Sequence, residues 1–233
     1  MAKIYAVNEN AFDKWVAAMA YFLGFLMADG YIRRWGPDKR PMALRINVCK
    51  KDKEVLEKLL DFVQSTHPIK NQDITNSCYV NLGNVYLCNR LVELGLTPDT
   101  TKRIFPNIPR SMLSHFIRGY FDGNGSAFIL NDRGKPSLRM MISSGSFPFM
   151  DSIQNALSKY AGLKQKKIYK TIKGEAYYVR YAMKESVLLA NYFYIGANDL
   201  CLERKRDLVL NYLSKKGDVR GCRSSLHKSL QVG

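Results

Sequence analysis

The chain has 233 residues, 46% of them hydrophobic, enough for one large domain or two small ones with a real core. Lys plus Arg number 36 against 20 Asp plus Glu, a formal net charge of +16 that points to a polyanionic partner rather than to any particular fold. No run of about 18 apolar residues argues for a membrane span, and five cysteines without a CxxC pair and only three histidines argue against a disulfide framework or a zinc site. The N-terminal stretch MAKIYAVNENAFDKW lacks a basic-then-apolar signal design, so the expectation is an intracellular protein with reduced thiols, not secreted.

The first predicted element is a helix, AFDKWVAAMAYFLGFLMADG, closed by a glycine as helix ends prefer. A hairpin follows, with WGPDKRPM as its turn-rich tip. Its second strand alternates: Leu44, Ile46 and Val48 face one way, Arg45, Asn47 and Cys49 the other. An amphipathic helix, DKEVLEKLLDFVQ, comes next, then a second strand pair and a short helix within YVNLGNVYLCNRLVELG. LGLTPDTTKRIFPNIPRS, with three prolines, reads as a linker. The same order then begins again with the helix RSMLSHFIRGYFDGNG, the turn LNDRGKPS and a strand in which Leu138, Met140 and Ile142 oppose Arg139, Met141 and Ser143. A helix in SFPFMDSIQNALSKYAGL follows, and the chain ends in a basic, Gly/Ser-rich tail.

The repetition is explicit. FLGFLMADG from Phe22 matches IRGYFDGNG from Ile117, 95 residues on. LRINVCKKD at Leu44 pairs with LRMMISSGS at Leu138, 94 on, and Tyr79 with Tyr178, 99 on; TTKR at Thr100 pairs with ERKR at Glu203, 103 on. The expectation is an α+β fold of two pseudo-symmetric αββαββα halves, at 1–98 and 113–214, with a linker at 99–112 and a basic tail at 215–233. Ala20, Gly24 and Ala28 fall at i, i+4, i+8, and Gly119 and Gly123 at i, i+4. Small residues so spaced let two helix backbones approach, so the repeated helices should pack on each other and bring Asp29 and Asn124 side by side. A carboxylate at the negative end of a helix dipole is unfavourable unless a cation meets it, and oxygen-rich, hydrated geometry suits Mg2+. Metal-assisted phosphodiester hydrolysis fits such a site beneath a basic surface.

These two segments, with FPNIPRSMLSHFIRGYFDGNGS, SSGS and CLERKRD around the second, resemble the LAGLIDADG homing endonucleases in their single-chain, two-motif form, over nearly all of residues 14–210. The resemblance implies paired motif helices, two antiparallel sheets forming a DNA-binding saddle, and a monomer that cuts both strands of a long duplex target to leave short 3′ overhangs. It implies a divalent ion, Mg2+ with Mn2+ or Ca2+ as substitutes, held by Asp29 with the carbonyl of Ala28 and by Asn124 with that of Gly123. No membrane and no small-molecule substrate are implied, and the place of action is with DNA, in a prokaryotic cytoplasm or an organelle matrix. Lys102 and Lys205, read as equivalent positions after the last helix of each half, are candidates for holding or polarising a phosphate. The strand faces nominate Arg33 or Arg34, Arg45 and Asn47, then Arg139, Lys167, Tyr169, Tyr178, Arg180 and Lys184 as DNA contacts, with Lys50 beside them.

Asn124 departs from the pattern, since an amide keeps an oxygen but loses the charge. Either it is natural and leaves a nicking or binding-only protein, or it is a substitution that disables an active enzyme. Compensation by Asp122 is set aside, because two residues along a helix is about 200° around it. A non-cleaving relative, such as an RNA maturase or a DNA-binding regulator, is the alternative reading.

Overall fold

A helix that is apolar all round must be surrounded on every side. Helix α1 (Ala17–Asp29) is of this kind: every residue from Met19 to Met27 is buried. The computed structural model describes residues 5–35, 40–132, 134–172, 174, 176–195, 197 and 200–216. In it α1 lies against α4 (Leu113–Asn124), which buries Phe116 through Asp122. A Cβ built on Gly24 would stand 1.9 Å from the Phe116 carbonyl oxygen, and one on Gly119 would stand 1.9 Å from that of Tyr21. These contacts exchange under the 95-residue offset, so the helices meet about a local two-fold axis through their glycine faces. Nearer their ends, a Cβ on Gly123 would fall 2.3 Å from that of Ala28.

Each helix runs straight into a strand. Gly30 and Gly125 have φ of −79° and −104°, extended values, so neither is the left-handed cap that a closing glycine leads one to expect. Close approach explains them instead: a Cβ would fall 2.5 Å from the Leu26 carbonyl oxygen at Gly30, and 2.1 Å from the Phe121 ring at Gly125.

The first half carries β1 (Gly30–Trp35), β2 (Arg40–Cys49), α2 (Lys53–Phe62), β3 (Lys70–Gln72), β4 (Ser77–Gly83) and α3 (Val85–Glu93). The second carries β5 (Gly125–Asp132), β6 (Lys135–Ser144), α5 (Phe147–Ala161), β7 (Tyr169–Lys170), β8 (Tyr177–Tyr181) and α6 (Met183–Tyr194). The sheets are antiparallel, ordered β1-β2-β4-β3 and β5-β6-β8-β7. Leu44, Ile46, Val80 and Leu82 face inward in one, and Leu138, Met140, Ile142 and Val179 in the other, all fully buried. Helices α2 and α5 turn Val55, Leu56 and Leu59, and Phe149, Met150 and Ile153, into the same core. The caps are built from the local sequence: Asn84 Oδ1 accepts from the Leu87 amide and Ser146 Oγ from that of Phe149.

The strands correct the sequence register. Gly30 pairs with Ile46 and Gly125 with Ile142, so β2 and β6 are related by 142 − 46 = 96 residues rather than 94. Arg45 therefore corresponds to Met141, and Arg139 to Ala43. A slip of two preserves alternation, which is why the pattern alone did not expose it. The 99-residue match of Tyr79 with Tyr178 agrees with the pairing of Asn47 to Tyr79 and Ser143 to Tyr178.

The halves are not identical. After α3 the first has a one-turn 3-10 segment, Thr100–Lys102, whereas the second adds α7 (Glu203–Lys215). The start of α7 docks on the first half: Arg204 clasps Asp52 through Nε and a terminal nitrogen at 2.5 and 2.8 Å, and Lys58 meets Glu203 at 3.3 Å. The four described cysteines are free thiols, and no helix among the described residues is long and apolar enough to cross a membrane. The basic tail lies, from residue 217 on, outside the described residues, as does Cys222.

Candidate functional site

The C-termini of α1 and α4 come together as the glycine spacing requires. Asp29, half-buried, places Oδ2 3.1 Å from where a Gly123 Cβ would stand. Burial pushes its carboxyl up to about 6; the Lys205 charge opposes the rise and Asp52 adds to it. Asn124 ends α4 and is also half-buried. Its backbone oxygen accepts from Ser143 Oγ at 2.9 Å, and its Nδ2 lies 3.4 Å from the Tyr120 hydroxyl, which itself donates to the Ser143 carbonyl at 3.0 Å. The equivalent of Tyr120 is Phe25, which has no hydroxyl, so this tether exists only in the second half.

Beneath the helix ends lies Lys205, on α7 and 6% exposed. Its Nζ donates to the carbonyls of Phe121, Asp122 and Gly125 at 2.9, 2.6 and 2.6 Å, which uses all three ammonium protons. Burial brings its pKa down to about 8, against the pull of Asp122. In the first half Arg103, also buried, donates to the carbonyls of Gly30 and Thr97. Since Gly30 and Gly125 are equivalent, Arg103 is the counterpart of Lys205. The expected pairing of Lys102 with Lys205 is thereby corrected: the Lys102 side chain is 78% exposed, beside Asp99 at 3.4 Å. A one-residue gap in a loop of changed length hid this in the TTKR and ERKR match.

Asp122 does turn away from the shared end. Its Oδ2 accepts from the Tyr21 hydroxyl at 2.9 Å and from the Leu202 amide at 2.8 Å, tying α1, α4 and the start of α7 together. Arg118 escaped sequence reasoning. It is 1% exposed and donates to the carbonyls of Leu200, Phe193 and Ala197, pinning the segment between α6 and α7. A lone arginine inside the apolar run HFIRGYF was the available signal.

The outward sheet faces gather most of the nominated contact residues. Arg33 and Arg34 flank a register shift in the β1–β2 pairing, where β2 carries one extra residue between Pro41 and Ala43; both are exposed, Arg33 in the outward row of Tyr31 and Arg34 on the alternate side. The Arg45 guanidinium lies 3.9 Å over the Tyr79 ring, with Asn47 exposed in the neighbouring row. In the second sheet Tyr169 stacks on Tyr178 at 5.6 Å, Arg180 covers Tyr178 at 4.8 Å, and Arg139 sits across from Phe128. Lys167 precedes β7, its ammonium 5.5 Å from the Tyr169 ring. Lys184 is corrected: it lies on the first turn of α6 and not on a strand. Lys50, a candidate for holding phosphate, sits in a 3-10 turn after β2, paired with Asp73 at 2.5 Å. Tyr31, Lys70, Tyr79 and Asn81 share the first outward face and were not nominated.

Asp29 is the sole carboxylate of the pair, and the described residues hold no cluster of three His, Cys, Asp or Glu. One carboxylate with main-chain oxygens is nonetheless a donor set for Mg2+, which commonly takes one or two carboxylates and completes its shell with water and phosphate. The desolvated Asp29 carboxyl, with the ammonium of Lys205 already spent on carbonyls, is the local feature a cation would satisfy.

No protein-family model matches the chain, and no curated protein does. Solved structures match over almost its whole length. The LAGLIDADG meganuclease I-AabMI bound to uncleaved DNA aligns with TM-score 0.57 at 12% identity, covering 89% of this chain and 95% of that one. The I-LtrWI LAGLIDADG homing endonuclease bound to target DNA aligns with TM-score 0.57 at 13% identity, covering 95% and 96%. I-SmaMI bound to an uncleaved DNA target in the presence of calcium ions aligns with TM-score 0.53 at 14% identity, covering 89% and 95%. The fold expected from the paired motifs is the fold observed.

Proposed function

The chain has the fold of the LAGLIDADG homing endonucleases, and from that premise we propose that it is a monomeric, sequence-specific DNA-binding protein of that kind. Its metal-dependent hydrolysis of a long duplex target is impaired at one of two positions by Asn124. The observation that carries this reading is the convergence of the two helix ends, with Asp29 against Gly123 and Asn124 closing the partner helix. The net charge of +16 and the Arg- and Tyr-bearing strand faces supply the attraction to a polyanion.

Asp29, with the carbonyls of Ala28 and Gly123, would hold a divalent cation, which when bound neutralises phosphate charge and lowers the pKa of water. Asn124 offers only a neutral oxygen to its side of the site. Lys205 holds the last carbonyls of α4 in place and keeps positive charge beneath Asp29; Arg103 does the equivalent work beneath Gly30. Both are positioning residues here, whereas the exposed Lys102, paired with the surface carboxylate of Asp99, would reach a phosphate by leaving that partner.

A plasmid carrying the target tests the proposal. The chain as written should nick it or leave it intact, and Asn124→Asp should produce linear product at least tenfold faster in Mg2+. Full linearisation by the unaltered chain would overturn the role given to Asn124. Tight specific binding with no cutting by either form would favour the binding-only alternative, which the missing carboxylate already supports.

A further inference from the structure

One surface feature separates the halves and is not explained by attraction to phosphates. Strand β5 lies at the edge of its sheet and exposes three consecutive large apolar residues: Phe128 at 40%, Ile129 at 41% and Leu130 at 46%. An exposed apolar edge strand invites aggregation, so proteins normally blunt or cover it. Ile129 pairs with the buried Leu138 and so belongs to the inner face, whereas Phe128 and Leu130 belong to the outer one. That outer face is not an apolar patch. Phe128 lies across from Arg139, and two residues nearer the helix end the row Ser126–Met141–Arg180 again sets a thioether beside a guanidinium. Arginines interleaved with apolar side chains, on a chain of net charge +16, suit a polyanion.

The first half differs at equivalent places. Since Gly30 corresponds to Gly125, Tyr31 and Arg33 stand where the second half has Ser126 and Phe128. A strand rises about 3.4 Å per residue and duplex DNA about 3.4 Å per base pair. Alternate side chains along a strand that follows a groove therefore meet positions about two base pairs apart. In the major groove an arginine recognises guanine, and an apolar side chain recognises the 5-methyl group of thymine.

We propose that Phe128 and Leu130 are specificity-determining residues that read thymine methyl groups. The half-site beneath the second sheet then carries two thymines about two base pairs apart, and the corresponding position beneath the first sheet carries a guanine met by Arg33. This rests on the DNA-binding reading above and names what that surface recognises.

The experiment selects preferred sites from randomised duplexes by binding to the full chain, then replaces single thymines with deoxyuridine, which lacks only the methyl group. Each replacement at the two positions should weaken binding about fourfold, the worth of one buried methyl. In Phe128→Ala or Leu130→Ala the corresponding replacement should have no further effect. The deoxyuridine series uses unaltered protein, so it remains decisive if a variant folds poorly. A preferred site indifferent to thymine or to the methyl group overturns this assignment while leaving the DNA-binding reading intact. Absence of any preferred site overturns both. If Phe128→Ser with Leu130→Ser abolishes self-association in sedimentation and leaves DNA preference unchanged, the strand is a protein contact and the assignment fails.

Discussion

Asp29 shows what the proposed site costs the fold. Its carboxyl is held near 6, against 3.8 as the ordinary value, chiefly because burial disfavours the charged form. The folded chain therefore keeps a proton that the unfolded chain has released over that interval. Stability contributed at this residue is greatest below about pH 4, falls as pH rises to about 6, and is flat above. Asp29→Asn removes the penalty. At pH 7 without metal the variant should be more stable by about 1–3 kcal/mol, with the lower end expected because the residue is only half-buried. At pH 3.5 the two should coincide. Adding Mg2+ or Ca2+ should raise the melting temperature of the original chain and not of the variant, and cutting or nicking should vanish in the variant. Urea melts showing a less stable variant at pH 7 would refute this account. Asp29 and Asn124 were legible because a repeat displays its departures. Arg103 was not, because its role depends on a carbonyl it reaches across a loop and on no motif of its own.

At the scale of elements, the helix pair is fixed by what its glycines lack. A side chain on Gly24 or Gly119 would overlap a backbone oxygen of the other helix, and a backbone cannot rotate aside as a side chain can. Gly24→Ala and Gly119→Ala should each cost about 3 kcal/mol or more, at the upper end of overpacking effects, by forcing the helices apart. Gly83→Ala on β4, where an added Cβ meets nothing within 4 Å, should change stability by less than about 0.5 kcal/mol. The measurement is the urea midpoint of all three, and equal behaviour would refute the close packing. Helix pairing and strand alternation were readable because each follows from spacing along the chain. The two-residue slip of β2 against β6 was not, since register belongs to partner strands and each alternating face looks the same after a shift of two. The docking of α7 was equally hidden, as Arg204 meets Asp52 across 152 residues.

The whole molecule joins a duplicated architecture to unequal halves. Both copies keep the motif helix, the four-stranded sheet and a buried cation on the carbonyl of the glycine that opens the sheet. Yet the outward residues differ almost row by row, Arg33 against Phe128 and Arg45 against Met141. The core restricts the inward face to apolar residues of fitting size, while the outward face is constrained only by what it touches. That difference explains why the fold was legible in one sequence and the target was not. It also separates a specific binder from a merely basic protein, because a charge of +16 alone predicts attraction without preference. If the outward faces engage about 6–10 phosphates, affinity for any duplex should fall roughly 10³- to 10⁵-fold between 50 and 200 mM salt. Contacts to base edges release few ions, so preference for the selected target over a scrambled duplex should survive that change nearly intact. Competition binding at both salt concentrations measures the two quantities together. A preference that collapses in step with total affinity would mean that the sheets bind charge and read nothing.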